Sequence, residues 1–454
     1  MHIALYRCVL LAPKSNSDQK LESLIKFVTN EGYQLHPEVL NAITVRKLSL
    51  EEVYTAIKSE MRRRRLLKIN SLNITLKDLN LENVDVIKKS GVITFTIVNT
   101  PSEHVEPIIP SQLGYLFRDR YHKFFNIWQE RMTKVQLYKL NAVNSKFKGE
   151  RTIVGLIASK KGGFIILEDL NYFVRINVRD RNMYSELIPG TFISCKVMNE
   201  GDIVMTGFED LDIPDHQSKQ ISYDIMIAFL SDLLLGNKKT DVDRLIGVFR
   251  KLDRIGVSAV IIGGNIIDRN SLIKNGFTST DGYLILKDLI KLLPTNVIKI
   301  LIPGELDAQR LSLPQPPIGD NVLKEISSLG GVYSIGNPSM VDINGFNLLL
   351  YHGQGISDIV HYTKIRNPAL LARKMLKIRH LAPVYGGHTP ILSTARDSLV
   401  IEKTPDVFLV GHTGMASDML YRNTLLVTTP MWNGDGGAAA IINLNGYTVN
   451  WIKS

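Results

Sequence analysis

The sequence predicts a multidomain mixed α/β protein: a small helical head, a small closed β-barrel, and a two-sheet β-sandwich flanked by helices. Three observations predict it. At 454 residues the chain exceeds what one core usually holds, so two or three domains are expected. Its 44% hydrophobic and 22% charged residues are those of a folded globular chain. The apolar pattern also changes along the chain, from helical spacing, through short strands with glycine turns, to apolar strands alternating with amphipathic helices.

Each element follows from local chemistry. Leu21, Leu24, Ile25 and Val28 recur at helical spacing, and Ser49 with Glu52 makes a capping-box start, so residues 1–70 are expected to form a helical domain. Arg62, Arg63, Arg64 and Arg65 close it as a basic run, readable as a solvated helix end or as a phosphate contact. Residues 71–114 mix polar stretches with one apolar run, Val92 to Val98, and carry Pro101, Pro107 and Pro110, so a linker is expected there. From Tyr115 to Leu140 the chain is basic and aromatic, with Phe117, Tyr121, Phe124 and Trp128 along one helical face. Such a stripe is more often core than a base-stacking surface. Thr152–Ala158, Gly163–Leu167, Tyr172–Val178 and Thr191–Val197 then read as short strands of a closed barrel, an OB-fold, so residues 115–215 form a basic helix plus barrel. In residues 216–454, Ile225–Leu230, Val260–Gly263 and Val297–Pro303 alternate with helices such as Asp241–Ile255. Phe346–Tyr351, Val407–Val410, Thr424–Thr428 and Ala438–Ile442 follow with fewer helices, as a second sheet packed on the first.

Composition narrows the function classes. Cys8 and Cys195 are the only cysteines and stand far apart, which argues against a disulfide framework or a zinc finger and for a reducing, cytoplasmic setting. The apolar stretch from Ile3 to Pro13 is broken by Arg7 and has no small-residue cleavage site after it, so it is expected to belong to a folded domain. No apolar run is long enough to span a bilayer, and no membrane partner is expected. A formal charge of +10 draws polyanions to the surface, and nucleic acid is the natural partner. Arg118, Arg120, Lys123, Arg131 and Lys134 join the arginine run as candidate DNA contacts, with a solvated basic face as the commoner explanation.

The strands of the last region end in polar loops: Ser231–Asn237, Gly263–Asp268, Pro303–Asp307, Tyr351–Gly353 and Gly411–Gly414. Carboxyl ends of strands are where open α/β sheets build sites. Five such loops in this order resemble the calcineurin-like phosphoesterases, whose motifs run Asp-x-His, Gly-Asp-x-x-Asp, Gly-Asn-His-Asp, His-Gly and Gly-His-x-His. Pro314-Gln315-Pro316, the run from Arg379 to Gly387, and Asp397-Ser-Leu-Val-Ile narrow the likeness. They are similar to the small, B-type subunits of archaeal family D DNA polymerases, over roughly Tyr115 to the C-terminus.

Carried over position by position, the resemblance implies a degenerate site. Asp232, His352 and His412 stand at ligand positions, and Asp268 and Asp307 match motif acids. The metal-bridging carboxylate is replaced by Asn265, two ligand histidines by Leu234 and Gly414, and the ligand asparagine by Glu305. The histidine that protonates the leaving group is replaced by Leu306. Two divalent ions a few ångströms apart need anionic bridging oxygen, and Asn265 supplies no charge. Loss of a general acid alone removes about 10²- to 10⁴-fold of rate. No catalytic residue and no cofactor are therefore expected. Asp232, His352 and His412 form either a satisfied polar cluster or a weak single site for manganese or another divalent ion. What the resemblance implies is a non-catalytic accessory subunit that binds the large catalytic subunit, assists DNA binding and contacts other replication factors. The alternative is an active 3′–5′ exonuclease with altered ligands.

Overall fold

The structure, a computed structural model, describes residues 16–31, 34–35, 53–55, 57–58, 61, 73–74, 93–101, 113–131, 136–143, 146–434 and 436–453. The chain divides into two compact units, Met1–Gly91 and Val92–Ser454. In the first, helix α1 (Asn16–Asn30) buries Leu24 and Val28, four residues apart on one face. Strands β1 (Gln34–Leu35) and β2 (Asn73–Ile74) pair in parallel. β1 thus falls inside the expected helical domain and its partner β2 inside the expected linker. The capping box at Ser49, the run Arg62–Arg65 and Lys134 lie outside the described residues.

The second unit corrects the linker further. The apolar run within it forms β3 (Phe95–Asn99), an edge strand that pairs antiparallel with β13 (Ser339–Ile343). An edge strand buries one side only, and its proline-rich flanks make it resemble connecting chain. Helix α2 (Gly114–Arg131) follows and buries Leu116, Arg120, Phe124 and Trp128, four-residue steps along one core-facing stripe.

Strands β4 (Arg151–Lys161), β5 (Phe164–Glu168), β6 (Phe173–Asn177), β7 (Phe192–Asn199) and β8 (Ile203–Asp210) close a barrel in the order β4-β5-β6-β8-β7. A short helix, α3 (Arg181–Glu186), capped by the Asp180 carboxylate, links β6 to β7. Alternation is clean: Val174 and Ile176 fill the interior while Phe173 and Arg175 face out. The sequence pattern anticipates four of these strands. It misses β8, where Gly207 and a polar end blur the alternation.

The remaining chain builds two six-stranded sheets. One has the order β12-β11-β10-β9-β18-β19, from β9 (Met226–Leu230), β10 (Ala259–Gly263), β11 (Ile298–Ile302), β12 (Val332–Ser334), β18 (Ala438–Asn443) and β19 (Thr448–Lys453). Strands β9 to β12 are parallel there, joined through α4 (Val242–Ile255), α5 (Arg269–Lys274), α6 (Ser279–Ile290) and α7 (Asp320–Ser327). The other sheet has the order β16-β17-β15-β14-β13-β3, adding β14 (Phe346–Tyr351), β15 (Val407–Thr413), β16 (Ser417–Tyr421) and β17 (Thr424–Pro430). Phe229, Ile261 and Ile300 of the first sheet meet Leu348, Leu409 and Val427 of the second in a shared buried core. Strands buried on both faces read as continuous apolar runs, which is why they are legible. Helices α8 (Ile356–Tyr362) and α9 (Pro368–Ile378) cover the outer side of the second sheet.

Helix α2, the barrel and the sandwich belong to one unit, so the expected division at residues 115–215 and 216–454 describes subfolds within it.

Candidate functional site

The five polar loops converge where β9, β10, β11, β14 and β15 end. Asp232 accepts a hydrogen bond from the Asn265 amide nitrogen at 3.0 Å, from the His412 backbone N–H at 2.9 Å, and stands 3.1 Å from His412 Nδ1. The loops are zipped together by the backbone, Asp232 N–H to Gly264 O and Leu234 N–H to Asn265 O. Asp232, Leu234, Asn265 and His412 all have left-handed backbone, with φ of 51°, 51°, 47° and 55°. Residues with a Cβ avoid that region, and strain of this kind collects where side chains must be aimed.

His352 is fully buried. Its Nδ1 lies 2.7 Å from the Gly263 carbonyl, so that nitrogen carries the proton and donates. Nε2 then presents a lone pair. It has no hydrogen-bond partner and faces Asp232 Oδ1 at 4.0 Å, acceptor against acceptor. Two glycines make room for the ring: a Cβ at Gly264 would stand 2.5 Å from Nδ1, and one at Gly304 would stand 2.8 Å from Nε2.

Charge follows position. Burial disfavours the imidazolium of His352 and lowers its pKa despite Asp232. For His412, burial works the same way, but the hydrogen bond to Asp232 and the charge of that carboxylate, with Glu305 beyond, outweigh it and raise the pKa to about 8. Glu305 Oε1 lies 3.7 Å from His412 Nε2 at the half-exposed rim. Burial also opposes ionisation of Asp232, yet the two histidines bring its carboxyl below the usual range.

The remaining sequence-predicted positions are structural. Asp307 accepts from the N–H groups of Ile266, Ile267 and Gly304 and from Tyr283 Oη, bracing the second loop against the third. Burial pushes its pKa up to about 6. Asp268 caps α5 through Ser271 and holds Asn237. Leu234 is buried, Leu306 donates its N–H to Asn265 Oδ1, and Gly414 has open space around it. Asn265 thus spends its amide nitrogen on Asp232 and its oxygen on Leu306.

The residues therefore fit one cation and not two. Asp232, His352 and His412 place ligand atoms within 4.8 Å of one another, the one such metal-capable group among the described residues. A single ion between Asp232 and the orphaned Nε2 of His352 would relieve that repulsion and act as a Lewis acid and local clamp. A second ion would find leucine, glycine and an amide already engaged.

The basic candidates separate. Arg118 is exposed. Arg120 is a correction: it is fully buried, its Nε 2.5 Å from Asp397 and its Nη1 2.7 Å from the Pro383 carbonyl, so it cannot meet a phosphate on the surface. It occupies the core-facing side of α2, where the spacing of Phe124 and Trp128 already points. Lys123 pairs with Asp119 and Glu402. Arg131 is half-buried, with Nη1 enclosed and unpartnered. Sequence reasoning misses the role of Asp397. Burial disfavours its charge, but Arg120 and His380 hold it well below the usual carboxylate range. His380, pushed down to about 4 first by burial, donates from Nε2 to Asp397. The signal lies in the run from Arg379 and in Asp397, both of which carry the family resemblance.

The family profile for the B subunit of DNA polymerases alpha and epsilon matches residues 227–417. This stretch of the chain is similar to the B-subunit family of DNA polymerases. The match begins in β9 and ends at the start of β16, so it spans all five loops of the site. Among curated relatives, the DNA polymerase II small subunit of Pyrococcus furiosus is 27% identical, over 74% of this chain and 60% of its own. That of Thermoplasma acidophilum is 22% identical over 98% of this chain and 92% of its own. The chain thus spans about 60% of the length of the Pyrococcus relatives it matches. Among solved structures, an archaeal phosphodiesterase aligns with 50% of this chain and 99% of its own at 15% identity, with a TM-score of 0.28.

Proposed function

We propose that this chain is the non-catalytic accessory subunit of a replicative DNA polymerase, binding the large catalytic subunit and assisting its hold on DNA. The observation that carries the loss of catalysis is Asn265. Its amide bonds on both sides leave no anionic bridge for a metal pair, and Leu306 beside it has no proton to give a departing oxygen. The relatives' shared name supports the assembly with a polymerase.

A scaffold can lose ligands while its loops persist, and the strained backbone at Leu234 persists although leucine binds no metal. The five-stranded closed barrel, with its helix between the third and fourth strands, supports the OB-fold assignment. Residual binding of one divalent ion at Asp232, His352 and His412 is favoured by the unpartnered Nε2 of His352. In this reading the ion holds loops together and supports no turnover.

Co-expression with a large subunit of an archaeal family D polymerase tests the assignment. The two chains are expected to co-elute as one species through affinity and size-exclusion steps. Elution of this chain as a stable monomer beside an unbound large subunit would remove the reading.

A further inference from the structure

Away from the five loops, two further imidazoles stand face to face on the helical cover of the second sheet. His361 lies in the last turn of α8, and His388 lies on the loop that follows the run from Arg379 to Gly387. Their ring centroids are 5.4 Å apart, with the ring planes inclined at 66°. Both side chains are exposed, and among the described residues no hydrogen bond or ion pair takes up a ring nitrogen of either one. Two ring systems rich in lone pairs are thus brought together with no internal use for them.

The backbone beneath the pair is fixed by one buried carboxylate. Asp358 stands three residues before His361, on the same face of α8. Its Oδ1 accepts from the His388 N–H at 2.7 Å and its Oδ2 from the Thr389 N–H at 3.1 Å. Thr389 Oγ1 donates to the Gln354 carbonyl at 3.0 Å, just before the helix begins. The residue ahead of His388 has to be glycine, since a Cβ at Gly387 would stand 2.4 Å from Asp358 Oδ1. One side chain of α8 therefore holds the loop, and one turn further along the same face His361 meets the histidine that the loop carries.

The spacing suits two ligands on one ion. A zinc ion bound tetrahedrally by two imidazole nitrogens at about 2.0–2.1 Å sets their ring centroids roughly 5 Å apart. His352 and His412 of the loop cluster stand at 4.9 Å and 56°, close to the values of this second pair. Imidazole suits zinc, copper and nickel, whereas magnesium and calcium call for oxygen. We propose that His361 and His388 bind a divalent transition-metal ion of the zinc class, with its other positions left to solvent, and that the ion fastens the 385–389 loop to α8. Two protein ligands hold an ion less tightly than three, so the site is one of modest affinity. It draws on nothing in the accessory-subunit reading, and co-elution with a large subunit can succeed or fail independently of it.

The test is a calorimetric zinc titration of the full chain, in the wild-type protein and in His352→Ala, which removes the loop-cluster ligand. In both backgrounds His361→Ala and His388→Ala, singly and combined, are compared with His122→Ala, which removes an exposed histidine of α2. Either substitution in the pair is expected to weaken zinc binding there roughly tenfold or more, and both to the same degree because each breaks the same chelate. His122→Ala should change nothing, and magnesium should not compete. Thermal melts check that the fold is kept, and zinc should raise the Tm of His352→Ala but not that of its double-histidine variant. Should His352→Ala fail to fold, the wild-type series still reads the loss of one zinc-binding event. Unchanged zinc binding in the double variant would overturn the proposal. So would an equal loss in His122→Ala, which would make the binding a property of scattered surface imidazoles, or displacement of the zinc by magnesium, which would make the ligands oxygen.

Discussion

His412 and Asn265 do the same work on one carboxylate. His412, charged at neutral pH, and the Asn265 amide both donate toward Asp232, so the chain supplies from its own side chains part of the positive field that metals supply in a working site. The pKa of His412 rises from 6.5 unfolded to about 8 folded. Its stabilising contribution is therefore fully present below pH 6.5 and is lost as pH rises through 8. Side-chain NMR of His412 is expected to show that titration near pH 8 in chelator and a lower midpoint when zinc or manganese is added. A midpoint near 6.5 in chelator would contradict the contact. Asn265→Asp sets two buried carboxylates against each other in the metal-free protein, an uncompensated charge of the kind that costs about 3–5 kcal/mol. A lowered Tm in chelator, recovered by manganese, is the expected result; a variant indifferent to metal would mean that no cation reaches the pocket.

At the scale of elements, helix α2 is held by a buried cluster whose members come from distant stretches of chain. Arg120 of α2 meets Asp397 and the Pro383 carbonyl, and Gly190 of the barrel lies so close that a Cβ there would collide with that carbonyl. His380 completes the charge network on Asp397. Removing Arg120 leaves a carboxylate buried with one neutral imidazole and a backbone N–H, so Arg120→Ala is expected to destabilise by about 3–5 kcal/mol. Denaturant unfolding measures this directly. A change below about 1 kcal/mol would show that the cluster is incidental. The legibility of elements follows burial on both faces: β9, β10 and β14 read as apolar runs, while the edge strand β3 and the polar-ended β8 do not. Arg120 is easily misread because composition marks it basic, while its helical phase with Phe124 and Trp128 places it inside.

Across the whole molecule, the order of the five loops is the most informative sequence feature, because a fold constrains where its strands end more tightly than which residue stands there. That order correctly brings Asp232, His352 and His412 together. The roles of Asp307 and Asp268 are not legible, since a motif acid and a loop brace are the same residue type until the N–H donors around them are known. At the loop cluster, Asp232, Asn265 and Asp307 are engaged by hydrogen bonds from within the chain. The most direct test is a 3′–5′ digestion assay on single-stranded DNA with manganese, comparing the wild-type chain with His352→Ala. The account predicts no digestion above the variant's background; manganese-dependent digestion that disappears in His352→Ala would contradict it.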